Sequence, residues 1–225
     1  MSEAPDGYNW WWRIGPPVVG AVCRLAIRLR YRGVEHIPPW GPAILVANHV
    51  SLLDGIVLGL APARFRRRPC RFLTASEFFD RPVFRFFLQR FRQIRVRRGQ
   101  QDTEALDEAI HTIRAGALAG IFPEGRINEG TELQRGKSGA ARIAIATGAA
   151  VIPAGIWGTQ DRWPKTGLHF HRPWRTRVTV SFGEPILPAG DAESPEDIQH
   201  FTDRVMTAIA DQTARARADV EERRR

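Results

Sequence analysis

The stretch Asn48-His49-Val50-Ser51-Leu52-Leu53-Asp54 falls where an apolar run ends and a helical pattern begins, and it carries the residue types of a general base. His49 and Asp54 stand five positions apart. On one ideal helix that offset is about 140°, which would turn them to different faces. They can meet only with His49 in the turn and Asp54 in the first turns of the helix that follows. An aspartate bonded to one imidazole nitrogen fixes the tautomer and steadies the imidazolium, leaving the other nitrogen to take a proton. Donors at such a helix start could also hold a developing oxyanion. Ser51 lacks a Gly-x-Ser-x-Gly elbow and reads as a local hydrogen-bonding group, not a nucleophile.

Three further blocks accompany it. Ile121-Phe122-Pro123-Glu124-Gly125-Arg126 also follows a strand pattern, and its glycine lets backbone N–H groups and a guanidinium converge on an anion. Glu124 either orients a ligand or anchors the loop. Ile94-Arg95-Val96-Arg97-Arg98 is an arginine-rich strand end; Arg98 and Arg126 read as phosphate ligands or as solvated charges. Val151-Ile152-Pro153-Ala154 is an apolar strand end that Pro153 would shape. Gly136-Lys137-Ser138 is similar to the tail of a nucleotide phosphate loop, but the earlier glycine that loop needs is replaced by Thr131. His169 and His171 have no acidic or cysteine third ligand nearby, so no metal is expected. Cys23 and Cys70 cannot make a disulfide framework and read as partly buried residues.

Strand and helix patterns alternate around these blocks. Ala43–Ala47, Arg71–Thr74, Gln93–Arg97, Leu118–Phe122, Val151–Ile156 and Arg177–Phe182 read as strands. Leu52–Leu60 reads as a helix ended near Pro62. Asp102 caps another that Gly116 stops, and Gly148 closes Ala140–Thr147. Ser194-Pro195 launches the last helix, with Ile198, Phe201, Val205 and Ile209 on one stripe. This predicts an α/β fold, a largely parallel or mixed sheet covered by helices. Ahead of it, Val18, Val19, Val22, Leu25, Ala26 and Leu29 recur at helical spacing behind Trp10-Trp11-Trp12. That amphipathic segment either packs on the core or docks in a membrane interface. Residues 1–36 are therefore expected as an N-terminal interfacial helical segment and 37–225 as a single catalytic-sized domain.

The 225 residues are 43% apolar and 25% charged, a core-forming composition that excludes disordered, collagenous and disulfide-stapled classes. The net charge of +9 is concentrated: Arg64 to Arg98 holds twelve arginines against Glu77 and Asp80, so the remainder is close to neutral. An anionic partner follows, either nucleic acid or a phospholipid surface. Ile14–Cys23 is about half the length of a membrane span. Ala43–Ala63 is long enough but carries Asn48, His49, Ser51 and Asp54, which are costly in lipid. No secretory leader is evident, so the protein is expected to lie on a membrane without crossing it.

The order and spacing of the four blocks resemble those of the glycerolipid acyltransferases typified by 1-acylglycerol-3-phosphate (lysophosphatidate) acyltransferase. Asn48–Asp54 is similar to that family's Asn-His-x-Ser-x-x-Asp, Arg98-Gly99 to the end of its second block, Phe122–Arg126 to Phe-Pro-Glu-Gly-Thr-Arg, and Val151–Ala154 to its fourth. Lys137-Ser138-Gly139 resembles the Lys-x-Gly that follows the third block. The likeness runs from about Ile44 to Gly158, half the chain. Arg97 stands where many relatives have Asp, and Arg126 follows Gly125 without the intervening Thr, departures that bear on the acceptor.

The resemblance implies transfer of a fatty acyl chain from acyl-CoA or acyl-carrier protein to the free hydroxyl of a lysophospholipid. His49 would be the base and Asp54 its support. Arg98, Glu124, Gly125 and Arg126 would hold the acceptor's phosphate-bearing head, with Asn48, Ser51, Lys137 and Pro153 in supporting roles. It implies no metal and no cofactor beyond the thioester co-substrate. An anionic membrane surface, reached from the cytoplasmic side as a peripheral protein, and no nucleic acid complete the expectation. A thioesterase-like hydrolase, a glycolipid acceptor and a basic nucleic-acid-binding module are the rival readings.

Overall fold

The computed structural model describes residues 9–97, 103–129, 132–169 and 175–224. In chain order the elements are α1 (Trp10–Ala26), β1 (Ile27–Arg32), β2 (Ala43–Ala47), α2 (Asp54–Arg66), β3 (Cys70–Ala75), α3 (Ser76–Phe79), α4 (Pro82–Arg90), β4 (Ile94–Val96), α5 (Thr103–Arg114), β5 (Leu118–Ile121), α6 (Gly139–Thr147), β6 (Ala150–Trp157), β7 (Thr176–Phe182) and α7 (Pro195–Glu222). The seven strands form one sheet in the order β1-β7-β6-β2-β5-β3-β4, with every ladder parallel except the antiparallel β6–β7 pair. A mixed α/β sandwich results.

The strand β2 is buried on both faces, which explains its unbroken apolar run. Its side chains alternate: Leu45 and Ala47 join Val57, Leu58 and Ile152 under α1 and α2, while Ile44 and Val46 join Ile113, Phe201 and Ile209 under α5, α6 and α7. Central position and double burial make the end of β2 a rigid mount for the loop that follows.

Two local expectations differ from the structure. The helical spacing through Leu29 breaks at Ala26, because Ile27–Arg32 pairs with β7 as an edge strand. The competing period of two, with Ile27, Leu29 and Tyr31 inward and Arg28, Arg30 and Arg32 outward, prevails once a partner strand is present. The sheet thus begins inside the stretch assigned to the N-terminal segment. Helix α2 runs through Pro62 to Arg66. Pro62 costs it one backbone bond, while Arg66 ties the last turn down by donating to the Ile37 and Val34 carbonyls. The Trp cluster is split: Trp12 is buried edge-on against Phe91, and Trp10 stays outside. Asp102, the expected cap of α5, lies outside the described residues.

The long α7 is fastened to β1 and β7 by Asp219, whose carboxylate accepts from Arg30, Arg32 and Thr179. Burial alone would push this carboxyl up, but hydrogen bonds from Arg32, Thr179 and Arg30 outweigh it and hold it well below its ordinary value of 3.8. The stabilisation is therefore complete above that value and lost as pH falls beneath it. Asp219→Asn should lower stability by about 1–3 kcal/mol at neutral pH, limited because the arginines are half exposed. Melting curves should show that deficit shrinking below about pH 4; a gap that is constant with pH would contradict the assignment.

Candidate active site

His49 lies in the loop after β2, and Asp54 is the first residue of α2. The structure brings them together: Nδ1 of His49 is 3.0 Å from Oδ2 of Asp54, which is fully buried. The same oxygen accepts the backbone N–H of Val50 at 2.6 Å and of Ser51 at 2.7 Å. Wrapped around a carboxylate in this way, the loop places Nδ1 as a donor and leaves Nε2 as the basic nitrogen. These two backbone donors at the helix start serve Asp54 and are not available to an oxyanion. The imidazole stacks on Phe122 at 4.1 Å and 15°, and Phe122 in turn on Phe72.

The remaining residues of the first block hold the loop. Asn48 exchanges hydrogen bonds with Ile156 of β6, donating from Nδ2 to its carbonyl and accepting its N–H. Ser51 is fully buried; its hydroxyl donates to the Trp163 carbonyl and accepts from the Leu53 N–H. That is a brace, with no route for attack on a substrate.

Glu124 is buried, and its carboxylate is occupied. Oε1 accepts the His49 N–H at 2.8 Å, while Oε2 accepts Nδ2 of Asn128 and the N–H of Gln134. It therefore anchors the third block to the loop that carries His49, and Asn128 adds a backbone bond to the His49 carbonyl. Gly125 does not aim its N–H at an anion; it donates to the Phe122 carbonyl in a turn. At φ 70° it is in the left-handed region, and a Cβ there would meet Cε and Nζ of Lys137 at 3.0 Å. Its contribution is room for that lysine.

Arg126 is exposed and its Nε donates to Oε1 of Gln134 at 2.8 Å, which steers the guanidinium. Together with Gln134, Arg135 and Lys137 it lines an open cleft of about 490 Å³, whose wall also includes Glu124 and Gly125. Three cations on one concave surface suit a multiply charged anion. Through Glu124 the cleft and His49 share a wall.

Pro153 lies within β6 opposite Val46. Pairing with β7 starts only at Ala154, and an isolated bridge lies at Val151, so the missing proline N–H falls in a gap of the ladder. Arg98 lies outside the described residues, as does His171. Cys23 and Cys70 are buried free thiols, pushed up by burial and so kept inert. Asn128, Gln134 and Arg135 were not picked out in the sequence, although a buried Glu in a turn requires donors, and polar residues a few positions on are the obvious supply.

The chain belongs to the Acyltransferase family, whose model matches residues 28–157. It is 29% identical over 224 residues to an uncharacterized protein of Mycobacterium leprae, which covers 81% of this chain and 58% of the relative. A 1-acyl-sn-glycerol-3-phosphate acyltransferase of Borreliella burgdorferi is 28% identical over 137 residues, covering 60% of this chain and 53% of the relative. Among solved structures, the 1-acyl-sn-glycerophosphate (LPA) acyltransferase PlsC of Thermotoga maritima superposes with a TM-score of 0.68 at 26% identity, covering 95% of this chain and 79% of that one. The chain thus spans little more than half the length of these two sequence relatives.

Proposed function

We propose that this protein transfers a fatty acyl group from a thioester, acyl-CoA or acyl-carrier protein, to the free hydroxyl of a lysophospholipid, and that 1-acylglycerol-3-phosphate is the acceptor. The observation that carries this reading is the His49–Asp54 pair beside a cleft lined by Arg126, Arg135 and Lys137. Nε2 of His49 takes the hydroxyl proton as the oxygen attacks the thioester carbonyl, and Asp54 stabilises the imidazolium. Collapse of the tetrahedral adduct breaks the C–S bond, and the departing thiolate takes the proton back from His49. A phosphomonoester in the cleft, with its double negative charge, matches three cations better than a zwitterionic headgroup does. A panel of lysophospholipids and glycolipids offered with one labelled acyl-CoA tests this by mass spectrometry. Acylation of 1-acylglycerol-3-phosphate above the others is expected; preference for a glycolipid or for water would overturn it.

The acceptor would be met at a membrane. Trp10, Ile14, Val18, Val22 and Leu25 form an exposed apolar stripe along α1, and Val83, Phe84, Phe86 and Phe87 continue it on α4. The helices touch through Trp11 and Phe86, 5.5 Å apart, and Arg90 lies over both rings. Among the described residues no helix is long and apolar enough to cross a membrane. On this reading α1, not the whole of residues 1–36, contributes the interfacial element, and the enzyme docks peripherally from the cytoplasmic side on anionic lipid. Nucleic-acid binding would use the charge but leave the dyad without a purpose. Because Trp12 is buried, the informative variant is Trp10→Ala/Ile14→Ala/Val18→Ala. It should stay folded yet sediment several-fold less with phosphatidylglycerol vesicles, and native binding should weaken with salt. Unchanged sedimentation of the triple variant would remove α1 from the docking face.

A further inference from the structure

Asp54 uses its two oxygens unequally. Oδ2 takes His49 Nδ1 and two backbone donors, whereas among the described residues the donor to Oδ1 is the hydroxyl of Thr159, at 2.6 Å. Thr159 is fully buried and opens the short 3₁₀ turn Thr159–Asp161 after β6, 105 positions along the chain from Asp54 and outside the four blocks. The same turn grips the base-bearing loop a second time. The Trp163 N–H donates to the Thr159 carbonyl, and the Trp163 carbonyl accepts both the Ser51 hydroxyl and the Leu52 N–H.

We propose that Thr159 is a positioning residue for the base, its hydroxyl fixing the plane of the Asp54 carboxylate so that Oδ2 faces His49. Three donors already restrain Oδ2, so the Thr159 hydroxyl adds the restraint on the other oxygen, and a buried oxygen without a donor is costly. Without the Thr159 hydroxyl, Oδ1 is left buried and unsatisfied, and the plane of the group relaxes toward other donors. That change weakens its hold on Nδ1–H and with it the tautomer that leaves Nε2 basic. Thr159 touches neither substrate in this scheme, so its effect falls on turnover and not on binding.

The inference rests on the proposed acyl transfer only for its kinetic test. Thr159→Val keeps the shape and removes the donor, and Thr159→Ser keeps the donor. With acyl-CoA and 1-acylglycerol-3-phosphate, T159V should lose about ten- to a hundredfold in kcat, by analogy with the loss when a group orienting a metal-bound histidine is removed. Both KM values should stay within about twofold, and T159S should restore turnover to within a few-fold. Independently of any substrate, ¹⁵N resonances of the His49 ring should report the Nδ1–H tautomer in the native protein and T159S, and a mixture in T159V. A folded T159V with native kcat and native tautomer overturns the proposal, as does failure of T159S to rescue, which would assign the effect to the buried methyl. Should T159V not fold, T159A is read in the same two ways. If the native protein acylates none of the acceptors, the functional reading falls while the ring spectra still decide the role of Thr159.

Discussion

His49→Ala is expected to lower acyl transfer by about 10²–10⁴-fold, the usual contribution of a positioned general base. The ring is packed on Phe122 and bonded to Asp54, but the loop carrying it is held by other groups. The Val50 and Ser51 N–H groups remain on Asp54, Asn48 remains on β6, and the Ser51 hydroxyl remains on Trp163. The variant should therefore melt as one cooperative unit close to the native temperature. Circular dichroism and a single-turnover assay on the same preparation separate lost chemistry from lost fold. Near-native turnover in folded H49A would falsify the mechanism. Asp54→Asn should be almost as damaging, since an amide cannot accept from three donors and one hydroxyl with the charge that steadies an imidazolium.

Arg126→Ala is the second large expectation. Its guanidinium is steered by Gln134 beside Arg135 and Lys137, so the charge is pointed before any ligand arrives. Losing a charge-assisted phosphate contact should raise the acceptor KM by roughly 10- to 150-fold, corresponding to about 1.5–3 kcal/mol, with kcat little changed. Gln134→Leu should give a smaller rise in the same constant. Initial rates over a grid of both substrates locate the effect. A rise confined to the thioester donor's KM would assign the cleft to the donor's phosphates instead.

The contact between His49 and Asp54 was readable because residue type and local geometry agree there. His49 and Asp54 stand at a strand–helix junction, and a five-residue spacing there brings a turn residue onto the first residue of a helix. The alternating pattern likewise gave the sheet and its covering helices. What escaped depends on distance along the chain. Thr159 meets Asp54 only because β6 lies beside β2 in the sheet, a pairing that no local pattern encodes. Glu124 was open between ligand and anchor until its donors from His49, Asn128 and Gln134 were in place. Successive helical positions point about 100° apart, so the Trp triplet must be divided between core and exterior, but only the packing against Phe91 shows that Trp12 is the buried one. At Ile27–Arg32 two periodicities were written over one another, and only the partner strand β7 decides between them.

Direct attack by the acceptor, without an acyl-enzyme, is the most exposed claim of this account. Ser51 is buried and braced, and both cysteines are buried with their thiols pushed up, so none of them is available as a carrier of the acyl group. The decisive measurement is mass spectrometry of both protein and lipid, quenched during turnover with labelled acyl-CoA in the presence and absence of 1-acylglycerol-3-phosphate. The account predicts label in the diacyl lipid only when the acceptor is present, and an intact protein mass that never changes. A protein mass increased by one acyl chain, or labelled free fatty acid formed as fast without acceptor as diacyl lipid is with it, would contradict it.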